Sequence, residues 1–301
     1  MYSFIYRLYF YLKRKEKKAK EERKEPAKFL KKFLDRIEWF YNVLVRNWYM
    51  NHPLKRCGLA EKPREQKVVV SLTSYPKRIG TVWLTIETLL RQSVKPDAII
   101  LWLAKTQFEN MDDLPEALLR QRERGLTIRF CEDLRSHKKY YYVMQQYPED
   151  LIILADDDMF YPRDTIKKLL DMHNENPDDI CTMTAQVIEP SFEAKLKETF
   201  KHSDNIQIFS GSGSLYPPHT LDEKLFDVNL IQKLCPYADD LWLTFMAYRN
   251  NTKITAATPW RSFPITIYGT AEGSLWYVNA AEGQNDEQWR AMLEYFNGSM
   301  K

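Results

Sequence analysis

Four short apolar runs lie within about 90 residues, at 67–72, 98–103, 126–130 and 151–155, and helix-length stretches separate them. Each run is bounded by turn or polar residues, so each reads as a buried strand. Strand and helix alternating in this way predict a mostly parallel sheet flanked by helices, because parallel strands need crossover connections. The fourth run, Leu151-Ile152-Ile153-Leu154-Ala155, opens directly onto Asp156, Asp157 and Asp158. Three adjacent carboxylates repel one another and are costly beside an apolar core unless a cation neutralises them. They also stand at the C-terminal end of a core strand, where open α/β sheets hold ligands. Carboxylate oxygens suit hard ions such as Mg²⁺ or Mn²⁺, which often bridge to phosphates. A solvated acidic turn is the plain alternative. The buried strand before the acids and the Tyr161-Pro162 stop after them favour a ligand site.

Composition narrows the ligand. The chain has only 9 glycines and carries neither GxGxxG nor GxxxxGK[ST], so dinucleotide-binding and P-loop readings lose their support. Cys57, Cys131, Cys181 and Cys235 lie 50 or more residues apart, which suggests neither a zinc knuckle nor a disulfide framework and fits a reducing compartment. No cleavable signal peptide is apparent.

The net charge of +3 conceals an asymmetry. Residues 13–32 hold eleven Lys/Arg against four Glu, whereas residues 33–301 are net acidic. The basic segment follows the Tyr- and Phe-rich residues 1–12, a stretch shorter than the ~20 apolar residues that span a bilayer. Aromatics beside a Lys/Arg cluster suit an interfacial anchor, so residues 1–34 are expected on an anionic membrane surface. A second stretch from Phe29 to Tyr49 repeats apolar residues at helical spacing. A basic solvated helix or a self-associating one would show the same pattern. Nucleic acid is not expected, since the basic patch is confined to a tail. Pro53, Pro63 and the charged residues between 61 and 67 divide a basic, aromatic helical region, 1–64, from a catalytic domain, 65–301.

Further on, helices are expected near 81–92, 114–124, 140–146, 165–173 (capped by Asp164), 241–248 and 286–296. Strands are expected at 180–187 and 206–215. Pro115 suits a first helical turn and Gly125 a C-terminal cap. Gly211 and Gly213, in a chain so poor in glycine, suggest backbone that comes close to something; a β-bulge or plain turn is the alternative.

The first strand with its Thr-Ser-Tyr loop, the segment Gln92-Ser93-Val94-Lys95-Pro96-Asp97 and the strand running into Asp156-Asp157-Asp158 together resemble nucleotide-sugar glycosyltransferases of the GT-A (Rossmann-like) fold. The resemblance covers roughly residues 67–250. It is strongest to family 2-like bacterial enzymes built on SLTSYPKRI, LADDD and YADDLW-type segments, often linked to surface polysaccharide synthesis.

That resemblance implies that Asp158 and Asp156 hold the metal, with Asp156 also placed to contact the nucleotide ribose and Asp157 counted beside the donor. Thr73, Ser74, Tyr75 and Arg78 in the first loop would cradle the nucleotide, and Arg78 could reach a phosphate. Glu132-Asp133 and Lys138-Lys139 follow the third strand; Asp133 would meet the base and Lys138 the diphosphate, although a charged surface loop would look the same. Asp240 is implied as the base that deprotonates the acceptor, with Asp239 its partner or substitute. Ordinary helix capping would explain one of those two carboxylates. Trp242 suits core packing more than sugar stacking. Some GT-A enzymes add a late histidine to the metal, whereas no His follows His219 here. Asn285 and Asp286 are the late polar residues available.

The expected activity is a metal-dependent glycosyltransferase of hexosyltransferase type, inverting, serving capsule or lipopolysaccharide synthesis. Its cofactor would be Mn²⁺ or Mg²⁺, its donor a UDP- or GDP-linked sugar and its acceptor a glycan or lipid-linked glycan. Its place would be the cytoplasmic face of the membrane. A nucleotidyltransferase with a similar metal site, or a non-catalytic membrane-bound interaction protein, is the alternative.

Overall fold

The structure, a computed structural model, describes residues 2–21, 26–62, 64–187, 200–203, 206–257, 264–270 and 283–298. Part of the basic segment (22–25) and much of the stretch after residue 257 lie outside them. In chain order the elements begin with α1 (Tyr2–Glu21), α2 (Pro26–Asn51), β1 (Val68–Thr73), α3 (Val82–Leu90) and β2 (Ala98–Ala104). Then come α4 (Glu116–Leu119), β3 (Leu126–Cys131), α5 (Lys138–Gln146), β4 (Leu151–Leu154), β5 (Met159–Phe160) and α6 (Thr165–Glu175). Five short strands follow: β6 (Ile180–Thr182), β7 (Ala185–Val187), β8 (Phe200–Ser203), β9 (Ile206–Ile208) and β10 (Ser214–Tyr216). The chain continues through α7 (Val228–Leu234), α8 (Asp239–Arg249), β11 (Ile254–Ala256), β12 (Ile265–Thr266) and α9 (Gln284–Gly298).

The expected α/β fold is present. One eight-stranded sheet runs β3-β2-β1-β4-β10-β6-β11-β8. Its first four strands are parallel. Of these, β1, β2 and β4 are buried on both faces, which is why they read as near-continuous apolar runs. The edge strand β3 mixes buried residues with exposed and half-buried ones. The second half is mixed, because β10 runs antiparallel to both β4 and β6. Parallel pairing brings the C-terminal ends of β1, β2, β3 and β4 to one edge. The antiparallel β10 begins there, with Ser214 opposite Leu154. Residues 73–78, 131–139, 155–158 and 210–213 therefore meet at that edge.

Four expectations change. The strand at 180–187 divides into β6 and β7, and the one at 206–215 into β9 and β10. In each case the chain leaves the main sheet for a two-stranded ribbon, β7 with β9. At the first break Thr182 Oγ1 bonds Ser214 Oγ and the backbone of Thr184, in place of continued ladder pairing. The helix at 114–124 is reduced to α4 and a 3-10 turn that ends at Gly125, whose φ of 115° needs glycine. Asp164 makes no capping bond; its carboxylate pairs with Lys168 at 2.9 Å.

The N-terminal helices pack on the sheet domain. Tyr9, Phe10, Leu34, Tyr41 and Val45 are buried in the same apolar cluster as Val68, Val70 and Leu72 of β1. The Tyr41 ring meets Phe160 edge-on at 5.8 Å. Asn42 of α2 clamps the β12 segment, donating to Thr266 O and accepting from Tyr268 N. No described helix is long and apolar enough to cross a membrane.

Candidate active site

Asp156, Asp157 and Asp158 leave β4 at the ligand edge, and the protein itself supplies part of the neutralising charge. Asp157 is buried and fully engaged: it accepts from Ser74 Oγ at 2.5 Å and from Arg78 Nη1 at 2.7 Å. Both of its carboxylate oxygens are thus taken by the first loop. Asp157 is neither a solvent-facing neighbour nor open to a donor; it ties the Ser74–Arg78 loop to the end of β4. Asp158 meets Arg78 Nη2 at 3.1 Å, and its backbone carbonyl accepts from Ile267 N at 2.7 Å. Burial pushes the Asp158 carboxyl up to about 7; Arg78 opposes this, and the charges of Asp157 and Asp156 add to it. Asp156 is the most open of the three, with 37% of its side chain exposed, and its Oδ1 pairs with Lys139 Nζ at 2.8 Å.

The other half of the site is the start of α8. Helix capping is not what Asp239 and Asp240 do there: the cap residue is Ala238, which makes no side-chain cap bond. Asp239 pairs with the same Lys139 Nζ at 2.8 Å and accepts from Ser210 Oγ at 3.1 Å. Asp240 accepts from Ser210 N at 2.9 Å and also bonds Ser210 Oγ. Burial opposes ionisation of Asp239, but Lys139 and then His137 together outweigh it and hold this carboxyl below its usual range. For Asp240, burial followed by the charge of Asp239 raises the carboxyl to about 7. Two adjacent acids are thereby held in different states, one ionised and one poised near neutrality.

Lys139 joins the two halves. Its side chain is 4% exposed, and burial disfavours its charge, yet Asp156, Asp239 and Asp240 keep it protonated well above the ordinary range. Its backbone is fixed as well, since Lys139 O accepts from Ser71 Oγ of β1 at 2.5 Å. Lys138, expected at the diphosphate, turns instead to Asp133 and is buried against it. Asp133 also accepts from Arg135 N at 2.9 Å and Gln107 Nε2 at 3.2 Å, so it closes its own loop. Thr73 donates to Trp102 O at 2.8 Å. The Tyr75 ring lies under Arg78, 5.5 Å from centroid to guanidinium. Trp242 is wholly buried and bonds Leu225 O, as core packing requires.

Gly211 confirms a close approach. A Cβ there would lie 1.7 Å from Asp156 Oδ2, so the turn before β10 rests directly on the first aspartate. Ser210, one residue earlier, went unnoticed in the sequence; its signal was its place beside glycines in a glycine-poor chain.

Among the described residues no group of three or more His, Cys, Asp or Glu side chains is arranged to hold a metal unaided. Asp156 and Asp158 suit an ion that takes its remaining ligands from phosphates and water, as Mg²⁺ commonly does. The charge balance agrees: among the described residues, Arg78 and Lys139 are the cations paired with Asp156, Asp157, Asp158 and Asp239, and Asp240 adds a fifth carboxyl to the cluster. Arg78 Nε is also buried without a partner among the described residues, a donor left for an anion.

No family model and no curated protein matches the chain. Among solved structures it is similar to S. aureus TarS, at 13% identity and a TM-score of 0.44, over 64% of this chain and 58% of that one. The chain thus spans less than two thirds of that structure. It is also similar to the mannosyltransferase PcManGT from Pyrobaculum calidifontis in complex with GDP-Man and Mn²⁺, at 13% identity and a TM-score of 0.47, over 96% of this chain and 74% of that one. A cytidylyltransferase from Leptospira borgpetersenii is similar at 12% identity and a TM-score of 0.42, over 74% of this chain and 97% of that one.

Proposed function

We propose that the protein is a metal-dependent, inverting glycosyltransferase that moves a sugar from a nucleoside-diphosphate donor to a hydroxyl of a glycan or lipid-linked glycan. One observation carries this reading: a single buried ammonium, Lys139, gathers a strand-end carboxylate and the acidic pair of α8 into one site, although some 80 residues separate them. Asp156 and Asp158 would bind Mn²⁺ or Mg²⁺, which when bound neutralises charge on the departing diphosphate. Arg78, fixed by Asp157, has Nε left to donate to a phosphate oxygen. Asp240 accepts the proton of the acceptor hydroxyl, with a pKa near the working pH of a general base. Ser210 orients it, and Asp239 stays ionised beside Lys139. Attack from the face opposite the diphosphate inverts the anomeric centre.

Peripheral attachment to the cytoplasmic face of an anionic membrane belongs to the same reading. It is supported by Phe4, Tyr11, Phe29, Phe33, Trp39 and Phe40, exposed on α1 and α2 among Lys and Arg. The resemblance of its segments supports a role in capsule or lipopolysaccharide synthesis. Calorimetric titration with UDP- and GDP-linked sugars, with and without Mn²⁺, tests the donor. Metal-dependent binding of one of them is expected; binding of none would sink the reading, and preference for a nucleoside triphosphate would point to a nucleotidyltransferase.

A further inference from the structure

Lys139 stands at the centre of the site without facing solvent, so it does more there than bind substrate. Its ammonium carries three donors, and two of its partners, Asp156 and Asp239, belong to opposite halves of the reaction, each at 2.8 Å. Its main chain is held to β1 through Ser71, so what can move is the end of the side chain. A buried ammonium cannot be left unpaired without a large penalty. A divalent ion on Asp156 would compete with Lys139 for that carboxylate and repel it at short range. Asp239 offers the remaining partner, and it shares Ser210 with Asp240.

We propose that Lys139 is a positioning residue that passes donor loading to the acceptor side: when a divalent cation takes Asp156, the ammonium moves wholly onto Asp239 and fixes the Asp239–Ser210–Asp240 arrangement. This rests on the metal-dependent transferase reading and deepens it at one residue, Lys139. The hand-over makes Asp239 a determinant of metal affinity without being a metal ligand. With Asp239 neutral, Lys139 has only Asp156 to hold and gives it up less readily.

The test is Mn²⁺ binding to the full-length protein, read from the free-ion paramagnetic resonance signal with UDP present. It compares wild type, Lys139→Met, Asp239→Asn and the double variant. Lys139→Met is expected to bind Mn²⁺ at least tenfold more tightly than wild type. Asp239→Asn is expected to bind about tenfold more weakly, and that loss should shrink to threefold or less in the Lys139→Met background. Simple loss of a nearby charge, or a merely structural role, would give the same factor in both backgrounds, and that result overturns the proposal. Should the Lys139 variants fail to fold, the wild-type protein suffices: Mg²⁺ with UDP is expected to shift the amide resonance of Ser210, which donates to Asp240. An unmoved Ser210 amide overturns the proposal. If wild type binds no Mn²⁺ under any condition, the metal reading itself falls; if it binds and the factors are equal, only the role of Lys139 falls.

Discussion

Gly211 lacks a side chain because Asp156 occupies the place where one would go. Gly211→Ala is expected to leave the fold intact and displace the Asp156 carboxylate from Lys139. Turnover should fall by about 100-fold, the scale of loss that ångström misplacement brings, measured as initial rate against a thermal melt that stays near wild type. Unchanged turnover would show that Asp156 need not sit where it does. At this scale the sequence was partly legible. A strand ending in three aspartates announced a charged site at the sheet edge, and glycine scarcity marked 211. What each aspartate does was not legible, because the answer lies in distant residues: Arg78 claims Asp157, and Lys139 claims Asp156. Nor could the sequence choose between Lys138 and Lys139. Adjacent residues differ by about 100° around a helix, so although both are buried, Lys139 reaches Asp156 and Asp239 while Lys138 reaches Asp133.

Among the elements, α2 shows why helical spacing alone misleads. Its apolar residues form two faces, and spacing does not say which one packs. Leu34, Tyr41 and Val45 face the protein, whereas Phe29, Phe33 and Phe40 face outward. The N-terminal region therefore shares the core of the sheet domain. Phe10→Ala is expected to destabilise the whole protein by about 3 kcal/mol, seen as a lower urea midpoint of a single transition. No change would mean that α1 is detachable. Helix α3 is buried all round, which is how a helix between other layers reads, and it carries Glu87 into the core. There Glu87 meets Arg124 and Arg91. Burial alone would raise its carboxyl, but Arg124 and then Arg91 hold it below the ordinary 4.5. A carboxylate with a depressed folded value stabilises the protein above its unfolded value and loses that contribution as acid protonates it. Wild type should exceed Glu87→Gln in stability by about 3 kcal/mol at pH 7, and urea melts should show the gap closing below about pH 4.5. A gap independent of pH would contradict an ionised Glu87.

For the whole molecule, β1, β2 and β4 in the parallel half of the sheet were readable because strands buried on both faces keep their apolar character residue by residue. The second half was not, since its strands are three or four residues long and the chain crosses between the sheet and a ribbon. The outward aromatic face of α2 is the surface on which the proposed membrane attachment rests. Replacing Phe29, Phe33 and Phe40 with Ser in the full-length protein should reduce sedimentation with phosphatidylglycerol vesicles several-fold while leaving the fold unchanged; equal sedimentation would remove the membrane from the account. Deleting residues 1–34 would not test this cleanly, because Tyr9, Phe10 and Leu34 belong to the core.

The central claim is that one site divides its carboxylates between the leaving diphosphate and the acceptor. The most direct measurement compares donor affinity and turnover in Asp158→Ala and Asp240→Asn. The account predicts that Asp158→Ala loses metal-dependent donor binding. Asp240→Asn should bind donor within about threefold of wild type and lose turnover by about 10²- to 10⁴-fold. Full turnover in Asp240→Asn, or undiminished metal-dependent binding in Asp158→Ala, would contradict it.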